Sequence, residues 1–200
     1  SLLLSSIFFL SSDVSPVLLL LGFISPLWQV SHALPVTSKG PMGDNCVSRA
    51  ETLLRNVTEK LMDAEIFNGI DCLKQSVELN METNTDSVCT PKGSTCAGIS
   101  KSEFNQESCM TSIGEDLHHY YKFLAAYPDP NGLLKALLSN LRELLMKCLS
   151  WSLQTEQAAP VSLSPFDERL KLCKVMRGFQ VRGITINRAI AYMHSGEHTK

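Results

Sequence analysis

Seven cysteines, all lying beyond residue 45, limit what this chain can become: Cys46, Cys72, Cys89, Cys96, Cys109, Cys148 and Cys173. No close ligand pair of the C-x2-C type occurs, so a zinc site is a poor reading. In an oxidising compartment such a set reads as disulfides. Seven is odd, so one thiol stays free or bonds another chain. Spacing alone does not choose among the pairings that six cysteines allow.

The first 33 residues point to that compartment. They hold SLLLSSIFFL and VLLLLGFISPLW and a single charge, Asp13. Val17 to Trp28 suits the core of a signal peptide, and Ser31-His32-Ala33 offers small residues where a signal peptidase reads. A membrane anchor fits less well, because the run is short for a span and Pro16 and Pro26 bracket it. The expected layout is a signal peptide at 1–33, a disordered mature N-terminus at 34–45, a helical domain at 46–194 and a solvated C-terminal tail at 195–200. The product is expected to be secreted and extracellular, with no membrane insertion after signal cleavage. Asn56-Val57-Thr58 is a glycosylation sequon on a charged helix face, in keeping with that route. The chain has 200 residues and a formal net charge of −2. Such a balance argues against nucleic acid, which needs a basic surface.

Helical periodicity dominates the rest of the chain. Ala50, Leu53, Leu54, Val57, Leu61 and Ala64 keep one face, in a helix expected to end at Asn68-Gly69. Residues 68–108 show no sustained period, and a loop that long must be pinned. Ser112-x-x-Glu115 reads as a capping box opening a second helix, which Pro128 and Pro130 stop. Asn131 is expected to cap a third helix over 132–153, striped by Leu134, Leu138, Leu141, Leu145 and Leu149. Ser164-Pro165 with Asp167 and Glu168 starts a fourth, running to about Met193. Four helices with long first and last connections permit an up-up-down-down bundle, the cytokine topology. A ferritin-like site would need Glu-x-x-His pairs, and neither Glu115 nor Glu143 has the His.

Catalytic motifs are weak. His194-Ser195-Gly196-Glu197-His198 matches H-x-x-E-H, but Gly196 interrupts it and no further ligand follows. His118 and His119 point about 100° apart on a helix and cannot chelate as a pair. No nucleophile elbow or phosphate loop occurs. No enzyme activity and no cofactor are expected. Cys148 shares the leucine face of the third helix and reads as a buried thiol or an intermolecular bond.

The fourth helix carries a second, polar stripe. At 100° per residue, Arg182, Thr185, Arg188 and Tyr192 gather on one side, while Phe179, Ile186, Ile190 and Met193 face away from it. Gly178 falls on the polar stripe, where its missing side chain allows close approach. An arginine stripe is commonly just a solvated face.

KLCKVMRGFQVRGITINRAIAYM closely resembles the last helix of the interleukin-12 alpha subunit family. SIGEDLHHYYKF is similar to its second helix and CVSRAETLLRNV to its first. The resemblance covers most of 46–193. It implies an all-α, long-chain four-helix cytokine with a disulfide-pinned first crossover. It implies the pairs Cys46–Cys96, Cys72–Cys173 and Cys89–Cys109, leaving Cys148 unpaired or interchain. It implies a secreted alpha subunit that pairs with a soluble receptor-like beta subunit of immunoglobulin and fibronectin type III domains. The pair would signal through cell-surface cytokine receptors to T cells and natural killer cells; the alternative is a stand-alone interleukin-6-type cytokine. Arg182, Thr185, Arg188 and Tyr192 would face the beta subunit, with Arg188 the anchor in an acidic pocket. Mammalian members carry an extra loop cysteine that bonds the partner; between Cys89 and Cys96 this chain has only TPKGST.

Overall fold

A computed structural model of the chain describes residues 42–91, 104–153 and 164–199. Among them, every regular element is helical. These are α1 (Asp44–Leu61), α2 (Thr85–Val88), α3 (Gln106–Ala126), α4 (Lys135–Cys148) and α5 (Pro165–Ser195), with 3-10 turns at Cys72–Lys74 and Glu197–Thr199. Four of the helices are long, and α2 is a single turn within the first crossover.

Each of α1 and α3 packs against both α4 and α5. Cross-helix pairs fix the directions. Arg49, early in α1, pairs with Glu143, late in α4. Asn187, late in α5, donates to the Ala50 carbonyl at 3.0 Å. Tyr120, late in α3, stacks on Phe179, in the first half of α5, with centroids 4.3 Å apart. Gly114, early in α3, meets Trp151, just past α4; a Cβ there would come within 2.4 Å of the indole. The first two long helices are therefore antiparallel to the last two, the up-up-down-down arrangement of a long-chain cytokine.

The core follows the stripes. Leu53, Val57 and Leu61 meet Ile113, Leu117 and Leu124, Leu137, Leu141 and Leu144, and Ile186, Ile190 and Met193, all buried. Each such side chain contributes roughly 1.5–3 kcal/mol by leaving water.

Helix ends differ from expectation where local polar groups outcompete the ladder. α1 stops at Leu61, short of Asn68, because the Asp63 carboxylate accepts the Glu65 amide at 3.0 Å and draws Lys60 in at 2.8 Å. Lys60 and the backbone amides hold the Asp63 carboxyl below its ordinary range. α3 starts at Gln106, capped by Asn105 on the Ser108 amide at 2.8 Å, so Ser112 and Glu115 lie inside the helix. Before α4 the N-cap is Leu134, with no side-chain cap; the turn leading into it is held by Asp129, whose two oxygens take the Leu133 and Leu134 amides at 2.8 Å each, and the expected Asn131 cap is not formed. α4 ends at Cys148, short of 153, as Ser150 turns left-handed at φ 52° and the Trp151 amide returns to the Leu145 carbonyl at 3.0 Å. α5 opens as expected, with the Ser164 hydroxyl on the Asp167 amide at 3.2 Å.

Three disulfides join these parts. Cys72–Cys173 ties the end of the α1 region to α5, and Cys89–Cys109 ties the crossover to α3. The third corrects the expected pairing. Cys46 bonds Cys148, with Cα atoms 5.6 Å apart, so it does not take Cys96, and Cys148 is neither unpaired nor interchain. Antiparallel α1 and α4 bring the start of one beside the end of the other, a proximity that depends on the packed bundle. Cys96 lies outside the described residues.

The C-terminal segment is also no solvated tail. Gly196 and His198 are buried; the His198 ring lies edge-on to Phe104 at 5.6 Å, and its Nε2 meets the Gln106 amide oxygen at 2.8 Å. His194 Nδ1 meets the Met42 carbonyl at 2.7 Å. The two histidines of the H-x-x-E-H motif thus face separate structural partners, and no metal-binding group of residues exists among the described residues.

Candidate functional site

The polar stripe of α5 splits in two. Gly178 and Arg182 face the chain's own first crossover. The crossover backbone lies flat on Gly178, where a Cβ would sit 1.8 Å from the Glu78 carbonyl oxygen. The Glu78 amide donates to the Lys174 carbonyl at 3.1 Å. One turn on, Arg182 is 3% exposed. Its Nη2 donates to the Asn80 carbonyl at 3.0 Å, while Nε and Nη1 make charge contacts with Asp116 at 3.1 Å and Asp86 at 2.8 Å.

Asp116 is the buried end of this cluster. Its carboxylate also accepts from Thr83 Oγ1 at 2.7 Å, from Asn80 Nδ2 at 3.1 Å and from Thr85 Oγ1. A buried carboxylate with several donors and a guanidinium meets the condition under which burying charge is tolerated. The adjoining Tyr120 phenol is pushed up to about 12, mainly by burial. Composition did not reveal the crossover residues Asn80, Thr83 and Thr85 as ligands of this cluster. Their only trace was Gly178, four residues before Arg182, which signals close backbone approach.

The other predicted stripe residues lie elsewhere. Thr185 is half-buried and donates to Asp86 at 3.2 Å. Tyr192 is half-buried and lies edge-on to Phe104, centroids 5.1 Å apart. Arg188 is exposed, and its guanidinium makes no hydrogen bond or ion pair among the described residues. Val181 and Ile184 are each 41% exposed, and Ala191 and Ser195 are exposed too. At 100° per residue all four lie within about 60° of Arg188, whereas Arg182 lies about 120° away. The open face of α5 is therefore Val181–Ile184–Arg188–Ala191–Ser195, rotated from the predicted stripe. Arg182 is corrected from a partner contact to an internal residue, because the crossover reaches it first.

An up-up-down-down bundle with a disulfide-closed first crossover and an arginine-centred open face on its last helix defines a long-chain helical cytokine. Comparison with protein families sharpens this. The family described as "Interleukin-12 alpha subunit" matches residues 17–196, and the chain belongs to that family. Similar proteins named "Interleukin-12 subunit alpha" come from Lama glama (25% identical, 83% of this chain and 89% of the relative), Sus scrofa (26%, 89% and 94%) and Cervus elaphus (27%, 85% and 91%). The chain is a cytokine alpha subunit, not an enzyme.

Proposed function

We propose that this alpha subunit is secreted, after cleavage of a leader at 1–33, and pairs with a receptor-like beta subunit of immunoglobulin and fibronectin type III domains. The heterodimer then engages cell-surface cytokine receptors to activate T cells and natural killer cells. The expected 46–194 cytokine domain reaches further at both ends: Met42 is buried and α1 begins at Asp44, within the stretch 34–45 expected to be disordered, and His198 packs on Phe104. No helix among the described residues is long and apolar enough to cross a membrane.

The observation that carries the pairing is Arg188: an exposed guanidinium without a partner among the described residues, bordered by exposed Val181 and Ile184. A planar guanidinium suits bidentate capture by a carboxylate, and arginine ringed by apolar surface is a common interface hot spot. Thr185 and Tyr192 border the same face. Asn56 is half-buried in α1, and Thr58 Oγ1 donates to the Leu54 carbonyl at 2.9 Å. Asn56 remains the proposed glycosylation site.

With six cysteines paired to one another, Cys96 has no cysteine left within this chain. It takes over from Cys148 as the residue proposed to bond the beta subunit. Co-expression with a candidate beta subunit tests both points. Arg188→Ala is expected to lose co-purification, and Cys96→Ser to turn a covalent heterodimer into separate bands on non-reducing electrophoresis. Undiminished pairing of Arg188→Ala contradicts the anchor. Efficient secretion as an active monomer favours a stand-alone cytokine.

A further inference from the structure

Asp86 carries the one charge of the Arg182 cluster that reaches solvent. Two carboxylates, Asp116 and Asp86, meet a single guanidinium. Asp116 is fully buried and taken up by its donors, while the Asp86 side chain is 67% exposed. The cluster's uncompensated negative charge therefore emerges at Asp86. Its other oxygen accepts from Thr185, which lies one turn from Arg188 on the same side of α5. Residues so spaced have Cβ atoms roughly 5–6 Å apart. The exposed Asp86 carboxylate on α2 is thus held against Thr185, one helical turn from the exposed Arg188 on α5.

We propose that Asp86 is a second, anionic determinant of the docking face, and that Arg182 is the positioning residue that holds it there. This rests on the reading that the α5 face takes a beta subunit. A partner of fitting chemistry offers a carboxylate to Arg188 and a basic side chain to Asp86. Such an ordered pair of opposite charges sets register and rejects partners whose charges are reversed. Arg182 touches no partner. It acts through the crossover, which Gly178 lets lie close and which Arg182 fastens through Asn80 and Asp86.

The test uses the full, disulfide-bonded chain and a candidate beta subunit in a surface-plasmon-resonance titration at two salt concentrations. Asp86→Lys is expected to weaken binding about tenfold or more, with the loss shrinking at high salt. Asp86→Asn, which keeps a hydrogen-bond acceptor for Thr185, is expected to lose less and covers the case in which the reversal fails to fold. Arg182→Met is expected to raise amide exchange across 78–88 and to weaken binding, and Arg182→Lys, which keeps the buried charge, to recover part of both. Wild-type binding by Asp86→Lys, or by Asp86→Asn and Asp86→Ala if the reversal does not fold, overturns the inference, and if Arg188→Ala is impaired the docking reading stands. Wild-type binding by Arg188→Ala removes the docking reading and the inference with it. Loosened exchange at 78–88 without any loss of affinity overturns the positioning role.

Discussion

Arg182 and Arg188 lie within two turns of one another on α5, are the same residue type, and fall about 120° apart, at the two edges of one polar stripe. One is buried against two carboxylates and a carbonyl; the other stands in solvent without a partner among the described residues. The difference comes from a distant part of the chain. Residues 78–86 of the first crossover run along α5 from Lys174 to Thr185 and claim one flank of the helix. A polar stripe on a helix can thus be divided between intramolecular and intermolecular duties, and only the path of the neighbouring loop shows where the division falls.

The sharpest way to break that contrast is to remove each arginine in turn. Arg182→Met leaves Asp116 buried without its cation and should cost roughly 3–5 kcal/mol in urea unfolding. Arg188→Ala should stay within about 0.5 kcal/mol of wild type. Equal costs would erase the distinction. Cys148→Ser asks whether the far end of the bundle needs its covalent tie, since the Cys46–Cys148 bond spans 102 residues. A loss of roughly 2–5 kcal/mol is expected, with an unchanged exchange pattern at 78–88. Gly178→Ala drives a methyl into the Glu78 carbonyl and should cost roughly 1–3 kcal/mol, whereas Val181→Ala, on the open flank, should cost little. The smallest effect is on a proton. With its phenol raised to about 12 in the folded chain against an ordinary 10, Tyr120 contributes stability that is whole below pH 10 and fades as pH climbs through 12. Absorbance titration should show one of the four tyrosines ionising only near the top of that window. Arg182→Met should raise that value further, because the guanidinium's charge favours the phenolate; Arg188→Ala should leave it alone.

Much of the bundle was legible. Ser164, Pro165 and Asp167 gave the start of α5 because an N-cap is a local device, read from four consecutive residues. The leucine stripe gave α4 because its period survives any change of neighbour. Asn105 carries no comparable signal, because it caps α3 from within a Ser-, Thr- and Cys-rich run that lacks periodicity, and the Ser112-x-x-Glu115 pattern, formally a capping box, sits in mid-helix. The Cys46–Cys148 pairing was not legible, since it follows from α1 and α4 lying antiparallel, and the family pattern pointed instead to Cys96. The stripe's chemistry was visible but its allegiance was not. Gly178 signals room for a neighbour in either case, and the backbone that fills it is the chain's own.

Whether Arg188 serves a partner while Arg182 serves the chain is measured most directly by one affinity. It is that of the folded Arg188→Ala alpha subunit for the beta subunit, compared with wild type at the same salt. A loss of about 2 kcal/mol or more, some thirtyfold, with an unshifted melting temperature is predicted. Wild-type affinity, or a loss accompanied by unfolding, would contradict it.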